Sequence, residues 1–149
     1  MRYVGITFRG GTNPNFNNVE AWVTRNPYAQ AGLYGQCTWF AWGRFYELYG
    51  YDPGFSGDGS SCVKELVSAH PDKFERSSSP KAGAVFSAIG HNHVGIVIAV
   101  KDNTITVQEG NLDGITNTFQ DAKKDWQTKS YTLDQLRSIY GGVVFGNPK

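Results

Sequence analysis

Cys37 stands where a loop containing Gly32 and Gly35 turns into a helical pattern. A helix start carries partial positive charge and unpaired N–H groups. Both favour a thiolate, and the N–H groups can also hold an oxyanion. A thiolate so placed is a nucleophile near neutral pH. The plainer reading of the same position is a small buried apolar residue. Cys62 precedes the helical run Val63-Lys64-Glu65-Leu66-Val67 and lacks that placement. It reads as structural, or as the partner of Cys37 in a disulfide. Such a bridge would remove the nucleophile, so the two readings exclude each other.

A cysteine nucleophile needs a base, and the base needs a polar group that fixes its ring. His91-Asn92-His93 leads into the apolar run Val94 to Val100. A hairpin of that run with Thr104 to Glu109, turning about Asp102, gives paired positions that sum to 204. His93 then lies opposite Asn111 and diagonal to Glu109, all on one face. A slip of one residue would separate them. Asp102-Asn103 is good turn chemistry, which supports the register. Either Glu109 or Asn111 can orient His93. Read alone, each is an ordinary strand-end or turn residue. Tyr34, Gln36 and Trp39 flank the cysteine and are candidates for holding substrate, although aromatic residues so placed also pack cores.

Positioning these groups takes helices first and strands later. Asn18 caps a short helix to Arg25, with Val19, Trp22 and Val23 on one face, and Asn26-Pro27 stops it. The strongest helical pattern runs from Cys37 to Tyr49, with Phe40, Ala41, Arg44, Phe45 and Leu48 recurring and Gly50 ending it. Another spans Cys62 to His70. Ser77 to Pro80 reads as a hinge. Strands are expected at Ala84–Ala88, Val94–Val100, Thr104–Glu109, Lys129–Leu133 and Gly142–Phe145. The second is apolar on both parities, as a strand covered on both faces would be. The pattern is α+β. One domain over 1–149 is expected, with residues 1–16 an extended arm and 146–149 the start of a linker.

Composition narrows the function. The 149 residues are 40% hydrophobic and 18% charged, which suits a folded domain. Fourteen Lys and Arg balance 13 Asp and Glu, and no basic block stands out, so no nucleic-acid partner is expected. Val94 to Val100 is the longest apolar run, too short for membrane insertion. The first residues lack an apolar signal core, so the protein is expected to stay inside the cell that makes it, to leave by another route, or to have had a signal trimmed. Phosphate-loop, Cys-x-x-Cys and His-Glu-x-x-His patterns are absent, and His91-x-His93 has no third ligand at the usual spacing, so no metal or cofactor is expected.

Four segments together resemble a family. Tyr34-Gly35-Gln36-Cys37-Thr38-Trp39 resembles the nucleophile segment of CHAP domains, the cysteine, histidine-dependent amidohydrolase/peptidases. Pro80-Lys81-Ala82-Gly83-Ala84-Val85 resembles their strand entry, with Ala84 where Asp is frequent. His93-Val94-Gly95-Ile96-Val97 and Val107-Gln108-Glu109-Gly110-Asn111 resemble the histidine segment and the strand end that completes the site. The resemblance implies a papain-like α+β fold, with N-terminal helices packed on a C-terminal antiparallel sheet. It implies a catalytic set of Cys37, His93 and Glu109 with Asn111 close by, and an enzyme that cuts an amide bond of bacterial peptidoglycan as endopeptidase or amidase. A phage lysin with a separate cell-wall-binding domain is the expected setting. The calcium loop of some relatives is not carried over, because residues 26–33 hold no carboxylate. A non-catalytic wall-binding module and an acyl transferase are the competing readings.

Overall fold

The computed structural model describes residues 13–115 and 118–149. Most of the expected N-terminal arm therefore lies outside the described residues. Its end is anchored: the Phe16 ring lies 4.7 Å from Trp22 and stacks 6.1 Å from Trp39.

Asn18 does accept a bond from the Ala21 N–H, as expected of a cap, but the turn it opens, Glu20–Thr24, is π-wound. The wider winding buries Ala21 and Trp22 and leaves Val19 exposed, so the expected apolar face is shifted. Helix α1, Pro27–Gln30, starts at Asn26, whose side chain caps it and whose amide also binds the carbonyls of Ala21 and Trp39. Helix α2 is Cys37–Tyr49 and ends on Gly50 at φ 81°, the left-handed conformation that glycine adopts without steric cost. Helix α3 is Cys62–Ala69.

Six strands follow: β1 Phe74–Ser77, β2 Val85–Ala88, β3 His93–Lys101, β4 Thr104–Gly110, β5 Trp126–Thr132 and β6 Val143–Pro148. They form one sheet in the order β1-β6-β2-β3-β4-β5, every neighbouring pair antiparallel. Two further helices interrupt them, α4 at Phe119–Ala122 and α5 at Leu133–Tyr140. The α+β arrangement is the one the sequence predicts.

Two cores sandwich the sheet. One gathers α2 and α3 with Val85, Val94 and Ile96; the other gathers Phe86, Val97, Val107, Tyr131 and Phe145 under Leu136 of α5. Strand β3 thus feeds both faces, as its unbroken apolar run requires. Helix α2 is buried nearly all round. A Cβ at Gly43 would sit 2.3 Å from the Trp22 ring, so the missing side chain seats that indole on the helix. Arg44, wholly buried, is offset by Glu47 at 3.1 Å and donates to Gln108 Oε1 at 2.7 Å, bracing α2 against β4.

The linker expected at 146–149 is instead sheet. Gly146, Asn147 and Pro148 pair with Arg76, Glu75 and Phe74, and the Asn147 side chain joins Lys81 N–H to the Ser79 carbonyl. Pairing with β2 ends at Gly146, so Pro148 sits where β6 has only one neighbour and its missing N–H costs little. The segment reads as linker by composition, but its partner β1 was not foreseen. Among the described residues no helix is long and apolar enough to cross a membrane.

Candidate active site

The β3–β4 hairpin sets the geometry. Its turn is the two residues Asp102-Asn103, with Lys101 paired to Thr104, so positions there sum to 205. Between Val97 and Ala99 the register shifts, and from Val97↔Val107 onward the sum is 204. A β-bulge thus restores, in the half of the hairpin that carries the site, the register expected from a turn at Asp102. His93 and Glu109 fall on the same face, and His93 Nε2 lies 2.8 Å from Glu109 Oε1.

Cys37 is within hydrogen-bonding reach of the His93 side chain. Cys37 is the first residue of α2, directly after Gln36, so the N–H groups of the first helical turn lack helical partners beside its sulfur. Cys37 and Cys62 are both free thiols, which removes the disulfide alternative. Cys62 is buried deeper, its thiol bonded to the Asp58 carbonyl at 3.3 Å, and burial pushes its pKa far up.

Glu109 is 1% exposed and would be costly there as a bare charge. Four donors surround it. Besides His93, the hydroxyl of Tyr140 donates at 2.6 Å, that of Tyr131 at 3.0 Å and the Gln127 amide at 3.0 Å. Burial alone would raise the Glu109 pKa. The bonds from His93 and Tyr140, the His93 charge and the Gln127 bond outweigh it and hold the value at about 2. Burial alone would likewise lower His93. The bonds to Cys37 and Glu109 outweigh that and hold it at about 9. The ring also stacks on Tyr140 and lies 5.9 Å from Phe86. Phe86 gains that place because Gly95 has no side chain: a Cβ there would come within 2.4 Å of it.

Of the two candidates for orienting His93, Glu109 takes the bond. Asn111 sits beyond the strand end at φ 63°, its N–H bound to the Asp125 carbonyl. Its amide Oδ1 is buried and has no partner among the described residues. Gln36, Cys37, Thr38 and Asn111 line one cleft of about 330 Å³ together with Tyr28, Asp58 and Asn92.

Two expected substrate contacts need revision. Trp39 is a core residue: it is 1% exposed and its indole N–H donates to the Trp22 carbonyl. On the helix it points away from Cys37, two positions earlier, as helical spacing demands. Tyr34 packs against Trp39 and Phe119 rather than lining the cleft. Gln36 does line it. The sequence reading missed Gln127, Tyr131 and Tyr140. The last stands on α5, which was signalled by the capping box Thr132-x-x-Gln135.

What these groups can do is specific. A thiol beside an imidazole whose far nitrogen is fixed by a buried carboxylate can attack a carbonyl carbon, and the helix start can hold the resulting oxyanion. Among the described residues no three His, Cys, Asp or Glu side chains gather as a metal site would need.

The fold has counterparts among solved structures. In fold the chain is similar to an N-acetylmuramoyl-L-alanine amidase from Staphylococcus aureus, with a TM-score of 0.52 and 20% identity over 77% of this chain. It is similar also to Ly7917, whose structure was solved with the hydrolyzing product of MDP, with a TM-score of 0.52 and 19% identity over 89% of this chain. The chain spans 31% and 61% of the lengths of those two. Among curated proteins none matches it in sequence. The family model of the CHAP domain matches residues 23–111. That stretch carries the thiol, the imidazole bonded to it and the carboxylate behind the ring, and the chain belongs to the CHAP domain family.

Proposed function

We propose that this domain hydrolyses an amide bond of bacterial peptidoglycan, with Cys37 as nucleophile, His93 as acid and base, and Glu109 as the residue that positions His93. The observation that carries it is the continuous chain from the Cys37 thiol through the His93 ring to the buried Glu109 carboxylate, at the side of an open cleft. The family and the two similar structures support the substrate class.

His93 takes the Cys37 thiol proton as the sulfur attacks the carbonyl carbon, and the N–H groups of the first turn of α2 bind the oxygen as it becomes negative. His93 then gives its proton to the departing nitrogen as the C–N bond breaks, leaving an S-acyl enzyme and a free amine. Water enters, His93 takes a proton from it, and the second collapse releases a carboxylic acid and restores the thiol. Glu109 stabilises the imidazolium that both halves pass through and does not itself need to accept the proton. Asn111, with its unpaired Oδ1 at the cleft, and Gln36 beside the nucleophile would hold the substrate chain. On this reading the domain acts at the bacterial cell wall.

The bond broken separates this reading from a glycosidase, which usually needs two carboxylates about 5–10 Å apart flanking the sugar. Purified peptidoglycan digested with the domain should release new free amines without new reducing ends, and the release should vanish in Cys37→Ala. Reducing ends without amines would overturn the reading.

A further inference from the structure

Ser56, Gly57, Asp58 and Gly59 line the same cleft as Cys37, and the backbone of this segment is held by several hydrogen bonds. The Glu65 carboxylate accepts from the N–H groups of Ser56 and Gly57. Tyr28 Oη donates to the Gly57 carbonyl at 2.8 Å, and Ser87 Oγ to that of Gly59 at 2.7 Å. The thiol of Cys62 binds the carbonyl of Asp58. Asn92, the neighbour of His93, accepts both the N–H and the hydroxyl of Ser60. The segment also lies flat on the β3 entry, where a Cβ at Gly59 would come within 2.8 Å of the Asn92 oxygen and the His93 backbone.

One group on this clamped wall is left over. Asp58 is exposed and lines the cleft, and its carboxylate bonds nothing among the described residues. It caps no helix, although it stands at the start of the turn Gly59–Ser61. It is the only carboxylate among the residues that line the cleft, and no Lys, Arg or His is among them. Two buried polar atoms there, Asn111 Oδ1 and Thr38 Oγ1, have no partner among the described residues, and the first is a pure acceptor. A lining whose one carboxylate is unpaired favours a positively charged group beside it and disfavours a second carboxylate.

We propose that Asp58 is a specificity residue that binds a protonated primary amine of the substrate peptide next to the amide that is cut. This rests on the amide-hydrolase reading above. The amine is either the side chain of a diamino acid in the stem or the open end of a cross-bridge; both present the same charge. Because the wall is fixed by its backbone bonds, the carboxylate is presented without a cost of ordering the loop.

Purified peptidoglycan is compared with the same material exhaustively N-acetylated or N-succinylated, and the rate of new amine release is read for each. The natural chain should cut the free-amine wall about two- to fivefold faster, the range of a partly exposed ion pair, with the ratio shrinking as salt is added. Asp58→Asn should remove the difference, and Asp58→Lys should favour the succinylated wall. Equal cutting of free and acetylated walls by the natural chain, or a preference that survives in Asp58→Asn, overturns the inference and leaves the amide-hydrolase reading standing. No amine release from any of the walls overturns both. Walls without bridge amino acids keep only the stem amine, so their comparison with bridged walls tells the two sources apart.

Discussion

The ring of His93 lies on the ring of Tyr140, 4.8 Å between centroids and 20° from parallel, while the Tyr140 hydroxyl reaches on to the same Glu109 oxygen that His93 bonds. One residue therefore does two things, supporting the imidazole from its face and supplying a donor to the carboxylate behind it.

Tyr140→Phe separates the two. The stacking stays and the donor goes, so the fold should hold with a loss of about 1–3 kcal/mol, the usual cost of a hydrogen bond to a charged group. Glu109 loses one of the bonds that keep its pKa low, so the acid limb of activity should move towards neutral pH. Tyr140→Ala should lose the platform too and cost activity well beyond Phe. Equal pH profiles for natural chain and Phe variant would mean that the Tyr140 bond does not hold the carboxylate.

The two cysteines should behave differently. Cys37→Ala removes the nucleophile and should abolish wall lysis in a zymogram while leaving the melting curve near its original place. Cys62→Ala should keep most activity but melt earlier, by about 1 kcal/mol of stability, because a fully buried thiol with two polar contacts is deleted. Thiol alkylation should inactivate and a chelator should not. Restoration by Ca²⁺ after chelation would reveal a cation site.

His93→Ala should lower kcat/KM by about 10²–10⁴-fold, the range for loss of a general base. His91 is exposed and meets Tyr140 only at a ring edge, 6.1 Å away, so His91→Ala should stay within about threefold of the natural chain. The reverse order of losses would contradict the geometry.

The pH dependence has a definite sign. The His93 pKa is about 9 when folded against 6.5 ordinarily, so its stabilisation is fully present below 6.5 and is lost as pH rises through 9. Glu109 falls from 4.5 to about 2, so its contribution is present above 4.5 and is lost as pH falls through 2. Denaturation midpoints measured across pH should decline at both ends. An NMR titration of the His93 ring should give a value near 9 in the natural chain and a lower one in Cys37→Ala, where the leading upward influence is gone. No change between the two would mean that the thiol and ring do not interact.

Much of this arrangement is legible in the residues, for reasons that differ from element to element. Helix α2 is readable end to end because Cys37 follows a glycine loop and Gly50 supplies a left-handed stop. The pairing of His93 with Glu109 is readable too, but through compensation: the turn is one residue wider than a turn at Asp102 gives, and the bulge beside Ile98 takes the difference back. Nothing in the pattern of an apolar run tells where an extra residue will be absorbed. Trp39 misleads because an aromatic next to a nucleophile looks like a binding surface, while the π-wound turn that brings Trp22 over it has no sequence signal. Tyr131 and Tyr140 were out of reach for a different reason: each meets Glu109 across more than 20 residues, and only the sheet order brings β5 and α5 there.

That separation bears on when the molecule becomes competent. The reacting thiol, the ring and the carboxylate are all translated by residue 109, yet three of the four donors around that carboxylate arrive later, the last at residue 140. Strand β6 comes later still, and it lies between β1 and β2 in the sheet. A nascent chain that has emerged from the ribosome only as far as Asn111 thus owns its chemistry without the means to bury Glu109. The donors that bury Glu109 therefore come from β5 and α5, later in the chain than the three groups they complete.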